Sequence, residues 1–168
     1  LLGGVTAALD MYFWDEVASE VAHDAGLRLA GGPAFLGGTG PEGNSFDAQV
    51  QRARRLWARE PAEGWHTAIG RWAHPHATYT LAPDQLSAVA AAAREVGARI
   101  HTHAAESEGE VAMVSEAHGL RPVELLDTLG LLGADVVLAH AVHLDDDEIA
   151  AIARSGTSVA HCPGSNLK

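Results

Sequence analysis

Ile100-His101-Thr102-His103-Ala104-Ala105-Glu106 is the stretch on which the reading of this chain turns. A short apolar run ends in a histidine, and a carboxylate follows three residues later in what reads as a loop. That spacing lets one imidazole hold a metal ion while the carboxylate reaches the water bound to it. A second histidine closes Val136-Val137-Leu138-Ala139-His140, and a third closes Thr157-Ser158-Val159-Ala160-His161. Three strands that each deliver a histidine at the carboxyl end put those groups where catalytic side chains collect in parallel α/β proteins.

Outward from these runs, short β-like segments alternate with helical ones. Val5 to Met11, Leu27 to Phe35, Thr67 to Ala73, Arg99 to His103, Val136 to His140 and Thr157 to His161 read as strands. Asp15 to Asp24, Phe46 to Arg59, Asp84 to Val96, Glu108 to Ala117, Pro122 to Leu129 and Asp145 to Arg154 read as helices. Asp84 to Val96 is the clearest. Pro83 suits its start, Leu86, Val89, Ala90 and Ala93 share one face, and Gly97 stops it. Strand followed by helix, repeated without a hairpin signal, predicts a parallel sheet with right-handed crossovers. The all-apolar strands predict that both sheet faces are covered.

The expected fold class is therefore α/β. An eight-unit (β/α)8 barrel needs roughly 200 to 250 residues, and this chain has 168. Leu1 to Lys168 is expected to form one domain, an incomplete barrel. The rival, an open doubly wound sheet, lacks the Gly-rich dinucleotide fingerprint that would favour it.

Composition narrows the function. A hydrophobic content of 47% suits one globular core, and 20% charged residues argue against disorder. A net charge of -11 repels polyanions, so no nucleic-acid partner is expected. One cysteine forbids an internal disulfide and points to a reducing compartment, hence the cytoplasm. No run of about 18 apolar residues predicts a membrane span. Leu1-Leu2-Gly3-Gly4 has neither an initiator Met nor a basic leader, so no signal peptide is expected. Ten histidines stand against 11 Lys plus Arg, an unusual share with no polyhistidine tag to account for it.

Several further residues are open to two readings. His101 lies two residues before His103 and projects from the same strand face, so it could share a metal or pack one layer deeper. His140 should point into the site. His143, three residues on in the loop, reads as structural or surface. His161 reads equally as a site residue or a packing residue. Cys162 beside it lacks an orienting third group, which favours a buried small side chain over a nucleophile. His76 follows the strand expected over Thr67 to Ala73 and could donate a hydrogen bond to substrate, or be a turn residue fixed by Pro75. Asp145-Asp146-Asp147-Glu148 fits an acidic helix start better than a metal cluster. Arg52, Arg54, Arg55 and Arg59 fit a solvated helix face. Trp57, Trp65 and Trp72 fit packing roles.

His101-Thr102-His103-Ala104-Ala105-Glu106, Ala139-His140-Ala141-Val142-His143-Leu144 and Ala160-His161-Cys162-Pro163-Gly164-Ser165-Asn166-Leu167-Lys168, in that order, resemble the amidohydrolase superfamily. Gly4-Val5-Thr6 and His76-Ala77-Thr78-Tyr79-Thr80 fit as well, with Thr78 where the family usually has proline. The resemblance is to the branch that includes S-adenosylhomocysteine, methylthioadenosine, guanine and cytosine deaminases and chlorotriazine hydrolases. It implies a (β/α)8 metal-dependent hydrolase barrel of which this chain carries about strands 2 to 7. The strand-one His-x-His, the strand-eight aspartate and any small β domain would lie outside it. His103 would be a metal ligand from barrel strand five, Glu106 the proton shuttle, His140 the group orienting the metal-bound hydroxide or the oxyanion, and His76 a substrate contact. One divalent ion, zinc or alternatively iron, would be the cofactor. The implied reaction is hydrolytic deamination of a purine-like or other N-heterocyclic amine by metal-bound hydroxide. Dechlorination or amide hydrolysis at the same site is the alternative, and a catalytically inactive binding module is the alternative of another class. The partner would be a small heterocyclic molecule, with a homodimer of the parent protein left open. The 168-residue segment alone is expected to be inactive.

Overall fold

The computed structural model describes residues 2–58 and 69–168. Strands β1 (Ala7–Leu9), β2 (Arg28–Ala30), β3 (Ala34–Phe35), β4 (Trp72–Pro75), β5 (Arg99–Ala104), β6 (Val136–His140) and β7 (Ser158–Ala160) run parallel throughout. Helices α1 (Asp15–Asp24), α2 (Phe46–Trp57), α3 (Pro83–Glu95), α4 (Glu108–His118), α5 (Pro122–Thr128), α6 (Asp146–Ser155) and the short α7 (Pro163–Asn166) fill the connections. β1 pairs with β2, and β3-β4-β5-β6-β7 form a sheet in chain order. Strand order that follows chain order, with helical crossovers, is how a (β/α) barrel grows.

The strand expected over Leu27 to Phe35 is split into β2 and β3, and the break has a steric cause. Pro33 has no N–H for the ladder, although its carbonyl accepts from His74 N–H at 3.0 Å. A Cβ on Gly32 would lie 2.3 Å from the Trp72 carbonyl oxygen, so only glycine fits this approach. The first half of the segment thus serves β1 and the second half serves β4.

The strand expected over Thr67 to Ala73 begins instead at Trp72 and runs through Pro75; residues 67 and 68 lie outside the described residues. Helix α2 ends at Trp57 rather than Arg59, which also lies outside them. Helix α7, over Pro163–Asn166, is an addition to the expected elements.

The core lies between the sheet and α3, as the spacing in that helix requires. Leu86, Val89, Ala90 and Ala93 are all buried against Phe35, Ile100 and Val136. Burying Leu86 and Val89 contributes roughly 1.5–3 kcal/mol each. Gln85 secures the helix start by accepting from Ala82 N–H at 2.9 Å and donating to the Gly37 carbonyl at 2.9 Å. The acidic run at Asp145 is a helix cap: its side chain accepts from Glu148 N–H at 2.9 Å, and Gly156 ends α6 with φ 74°. Glu148 itself is buried, held by Arg121 Nε at 2.8 Å and Val123 N–H at 3.0 Å.

The α2 arginines are not a solvated face throughout. Arg52 is ion-paired with Asp15, Glu16 and Glu42, and Arg54 with Glu95. Trp57 and Trp72 are buried, as a packing role requires, whereas Trp65 falls outside the described residues. No helix among the described residues is long and apolar enough to cross a membrane.

Candidate active site

The carboxyl ends of β4, β5 and β6 bring His76, His103, His140 and Glu106 together. The His103 ring lies 4.8 Å from that of His76 and 5.4 Å from that of His140, the latter nearly parallel at 29°. Glu106 Oε1 is 3.5 Å from His140 Nε2.

The register explains the convergence. β5 and β6 pair from Ile100↔Val136 to Ala104↔His140, so the two strand ends finish level. A bridge between Ala77 and His103, with His103 N–H donating to the His76 carbonyl at 3.0 Å, fixes the β4 loop beside them.

His103 Nδ1 is 2.7 Å from the His76 carbonyl oxygen. A carbonyl only accepts, so Nδ1 carries the hydrogen and Nε2 keeps its lone pair. This is the arrangement in which a histidine is fixed in tautomer and orientation for a metal through its other nitrogen. Among the described residues no group of three or more His, Cys, Asp or Glu is arranged to hold an ion. His103 therefore fits as a single nitrogen donor, and a catalytic zinc would need about two more protein ligands.

His140 is positioned by Asn166, whose Nδ2 lies 3.0 Å from His140 Nδ1 and whose Oδ1 lies 3.4 Å away. The shorter contact makes the amide the donor and leaves the hydrogen on Nε2, facing Glu106. His140 adopts φ 73° and Ala141 φ 49°, left-handed for residues that carry a Cβ. Ala105, at the turn before Glu106, has φ 51°. Each such residue costs roughly 1–2 kcal/mol, and strain of this kind clusters at functional sites. It is held by Ala141 N–H donating to the Ala104 carbonyl at 3.0 Å, and by Val142 and His143 N–H donating to the Ala105 carbonyl at 3.0 and 2.9 Å.

Beneath this layer His101 is buried against His74, with Nδ1 to Nδ1 at 3.2 Å. His101 thus takes the deeper of the two places open to it. Burial, then the charges of His101 and His103, pushes His74 from 6.5 down to about 3. Burial, then His103 and His140, pushes His101 down to about 4. Both rings are neutral near pH 7, so one Nδ1 donates and the other accepts. His76 is lowered by burial and His103, against an opposing pull from Glu106. Its Nδ1 meets Thr80 Oγ1 at 3.0 Å.

His161 is exposed, and His143 contributes its carbonyl to Arg121 Nη2 at 2.6 Å. Cys162 is half-buried, with Sγ 3.3 Å from the Ala160 carbonyl oxygen.

Three contributors escaped the sequence reading. Asn166 lies in the quoted Ser165-Asn166-Leu167-Lys168, but nothing local ties it to His140. His74 sits mid-strand among apolar neighbours. Glu110 stands three residues after Ser107, a spacing that reads as a helix cap. The cap is present, since Ser107 Oγ accepts from Glu110 N–H at 3.2 Å, but the Glu110 carboxylate turns to the Glu106 loop.

Residues 1–168 match the amidohydrolase family. The chain is 39% identical over its whole length to a 5-methylthioadenosine/S-adenosylhomocysteine deaminase of Symbiobacterium thermophilum, covering 38% of that protein. It is 38% identical over its whole length to a 5'-deoxyadenosine deaminase of Methanopyrus kandleri, again covering 38% of it. The crystal structure of an adenosine deaminase from Xanthomonas campestris with bound zinc superposes on 99% of the chain with a TM-score of 0.87 at 30% identity, covering 37% of that protein. The chain thus spans well under half the length of these relatives. With its parallel sheet, its ordered motifs and a family match that runs from end to end, the chain belongs to the amidohydrolase family.

Proposed function

We propose that the protein carrying this chain is a zinc-dependent aminohydrolase that replaces the exocyclic amine of an adenine-type nucleoside with oxygen. The contact of Glu106 with His140 Nε2, beside the free lone pair of His103, carries this reading. The relatives named above are deaminases of adenosine derivatives, which supports this substrate class.

His103 Nε2 would hold the ion together with ligands from outside these residues. A divalent ion held there supplies Lewis acidity, which makes water a nucleophile near neutral pH. Glu106 would accept one proton from the attacking water and pass it to a ring nitrogen, and would then carry the second, from the hydroxyl added to the ring carbon, to the departing amine, which leaves as ammonia. His140 Nε2–H donates toward the oxygen on which negative charge develops. The edge of the His76 ring at the β4 loop contacts the purine. The single cysteine supports a cytoplasmic setting.

The test is metal analysis and ammonia release by the full-length protein with 5'-methylthioadenosine, S-adenosylhomocysteine and 5'-deoxyadenosine. Stoichiometric metal and turnover are expected, and Glu106→Gln should lower kcat by about 10²–10⁴-fold, the range for a general acid–base group. Turnover near wild type in that variant rules out the shuttle role.

A further inference from the structure

We propose that Glu110 is the positioning residue that aims Glu106, and that Thr78 anchors Glu110 from the neighbouring β4 loop; this rests on the shuttle role given above to Glu106. Glu110 is 5% exposed. Its Oε2 accepts from Glu106 N–H at 2.8 Å, and its Oε1 accepts from Ala105 N–H at 3.1 Å and from Thr78 Oγ1 at 3.4 Å. Every donor around the carboxylate is thus an N–H or O–H from another loop position, and a carboxylate is the side chain that only accepts.

The two amides belong to the residue with left-handed φ and to the residue that carries the shuttle itself. Bonds to a charged acceptor are stronger than neutral ones, so the carboxylate holds the chain in a conformation that Ala105 would otherwise leave. The opposite side of the same turn is pinned by the Ala105 carbonyl, which accepts from Val142 and His143 N–H. With both sides of the peptide held, the Glu106 side chain is set at 3.5 Å from His140 Nε2. Thr78 lies two residues past His76, so its bond ties the His76 loop to the Glu106 loop.

Glu110→Gln preserves shape, but its amide NH2 must face one of the two N–H groups, so the loop is released on one side. The experiment uses the full-length protein in its metal-loaded form, with hydrogen exchange of the Ala105 and Glu106 amides read alongside kcat and KM. Glu110→Gln is expected to raise exchange at whichever of the two amides faces the new NH2 and to lower kcat by about tenfold or more, since misplacement of roughly 1 Å can cost 10²-fold. KM and metal content should stay near wild type. In a Glu106→Gln background the same change should alter kcat by less than about twofold, because neighbouring residues that act as a unit are not additive. Thr78→Val should show the same pattern in weaker form, and it removes only a hydroxyl should Glu110→Gln fail to fold.

Equal loss of kcat in the Glu106→Gln background would make Glu110 a general structural residue and overturn the proposal. So would exchange that rises at neither Ala105 nor Glu106. Absence of deaminase turnover in the wild type would instead count against the function, since the exchange measurement reads the grip of Glu110 without any substrate.

Discussion

His74→Gln should flatten the acid sensitivity of the fold. His74 is fully buried, stacked on Trp72 with ring centroids 6.2 Å apart at 12°, and its Nε2 has no partner among the described residues. Its pKa falls from 6.5 to about 3, chiefly through burial, and that of His101 from 6.5 to about 4, also chiefly through burial. Both groups bind a proton in the unfolded chain near pH 6.5 and refuse it in the folded one. Their contribution is therefore fully present above about pH 6.5 and is lost as pH falls through that value toward about 4. Each unbound proton is worth about 1.4 kcal/mol per pH unit. The pair together should thus remove about 2–3 kcal/mol of stability between pH 6 and pH 5, before the other groups are added. Glutamine cannot titrate, and its amide can still meet His101 Nδ1. The variant should lose stability about 1.2–1.4 kcal/mol less steeply over the same interval. Urea midpoints of both proteins across pH 7 to pH 5, at equal metal loading, read the difference; metal ligation is common to both and cancels. Parallel curves would refute a neutral, buried His74.

Gly32→Ala should lower stability by about 1–3 kcal/mol, the range for forcing a methyl into packed structure, because the new Cβ meets the Trp72 carbonyl oxygen at 2.3 Å; a lower urea midpoint checks it, and an unchanged one refutes it. If the proposed function holds, Asn166→Leu should reduce kcat of the full-length protein by about 10–100-fold, taking the range for losing the group that orients a metal-site histidine. Metal content should stay at the wild-type level, because Asn166 touches His140 and not His103. Kinetics paired with metal analysis decide this prediction, and full turnover would show that Asn166 does not set the His140 tautomer.

Much of this architecture was legible because its signals are local. Helix α1 spans Asp15–Asp24 and β6 spans Val136–His140, with the ends read from the sequence. Acids in the first turn and a glycine past the last one mark such a helix, and an apolar run closed by a polar residue marks such a strand. The break at Gly31-Gly32-Pro33 has a local sign in Pro33, which lacks a ladder N–H, but the close approach that demands Gly32 depends on the Trp72 carbonyl of a strand distant in sequence. His76, His103, His140 and Glu106 could be named because each lies at or just past the carboxyl end of a strand. Which His101 role applies could not, because the partner that settles it, His74, sits on a different strand and is identified only by the pairing of β4 with β5. The ion-paired state of Arg52 was hidden for a similar reason: Asp15 reaches it from the start of α1, in another connection, and Glu42 from the loop that leads into α2.

The site also depends on a layer that carries no chemistry of its own. Arg121, at the start of α5, donates to the His143 carbonyl and is itself held by buried Glu148 in α6. His143 N–H in turn donates to the Ala105 carbonyl, and Ala105 N–H donates to Glu110. A continuous series of hydrogen bonds therefore runs from the amino end of α6 to the turn that presents Glu106. Three left-handed residues, Ala105, His140 and Ala141, sit along or beside this series, and together they cost about 3–6 kcal/mol at roughly 1–2 kcal/mol each. The backbone bonds at Ala104, Ala105 and Ala141 hold these conformations, which is why the placement of Glu106 depends on α4, α5, α6 and the loop after β6 rather than on the His-x-x-Glu spacing alone.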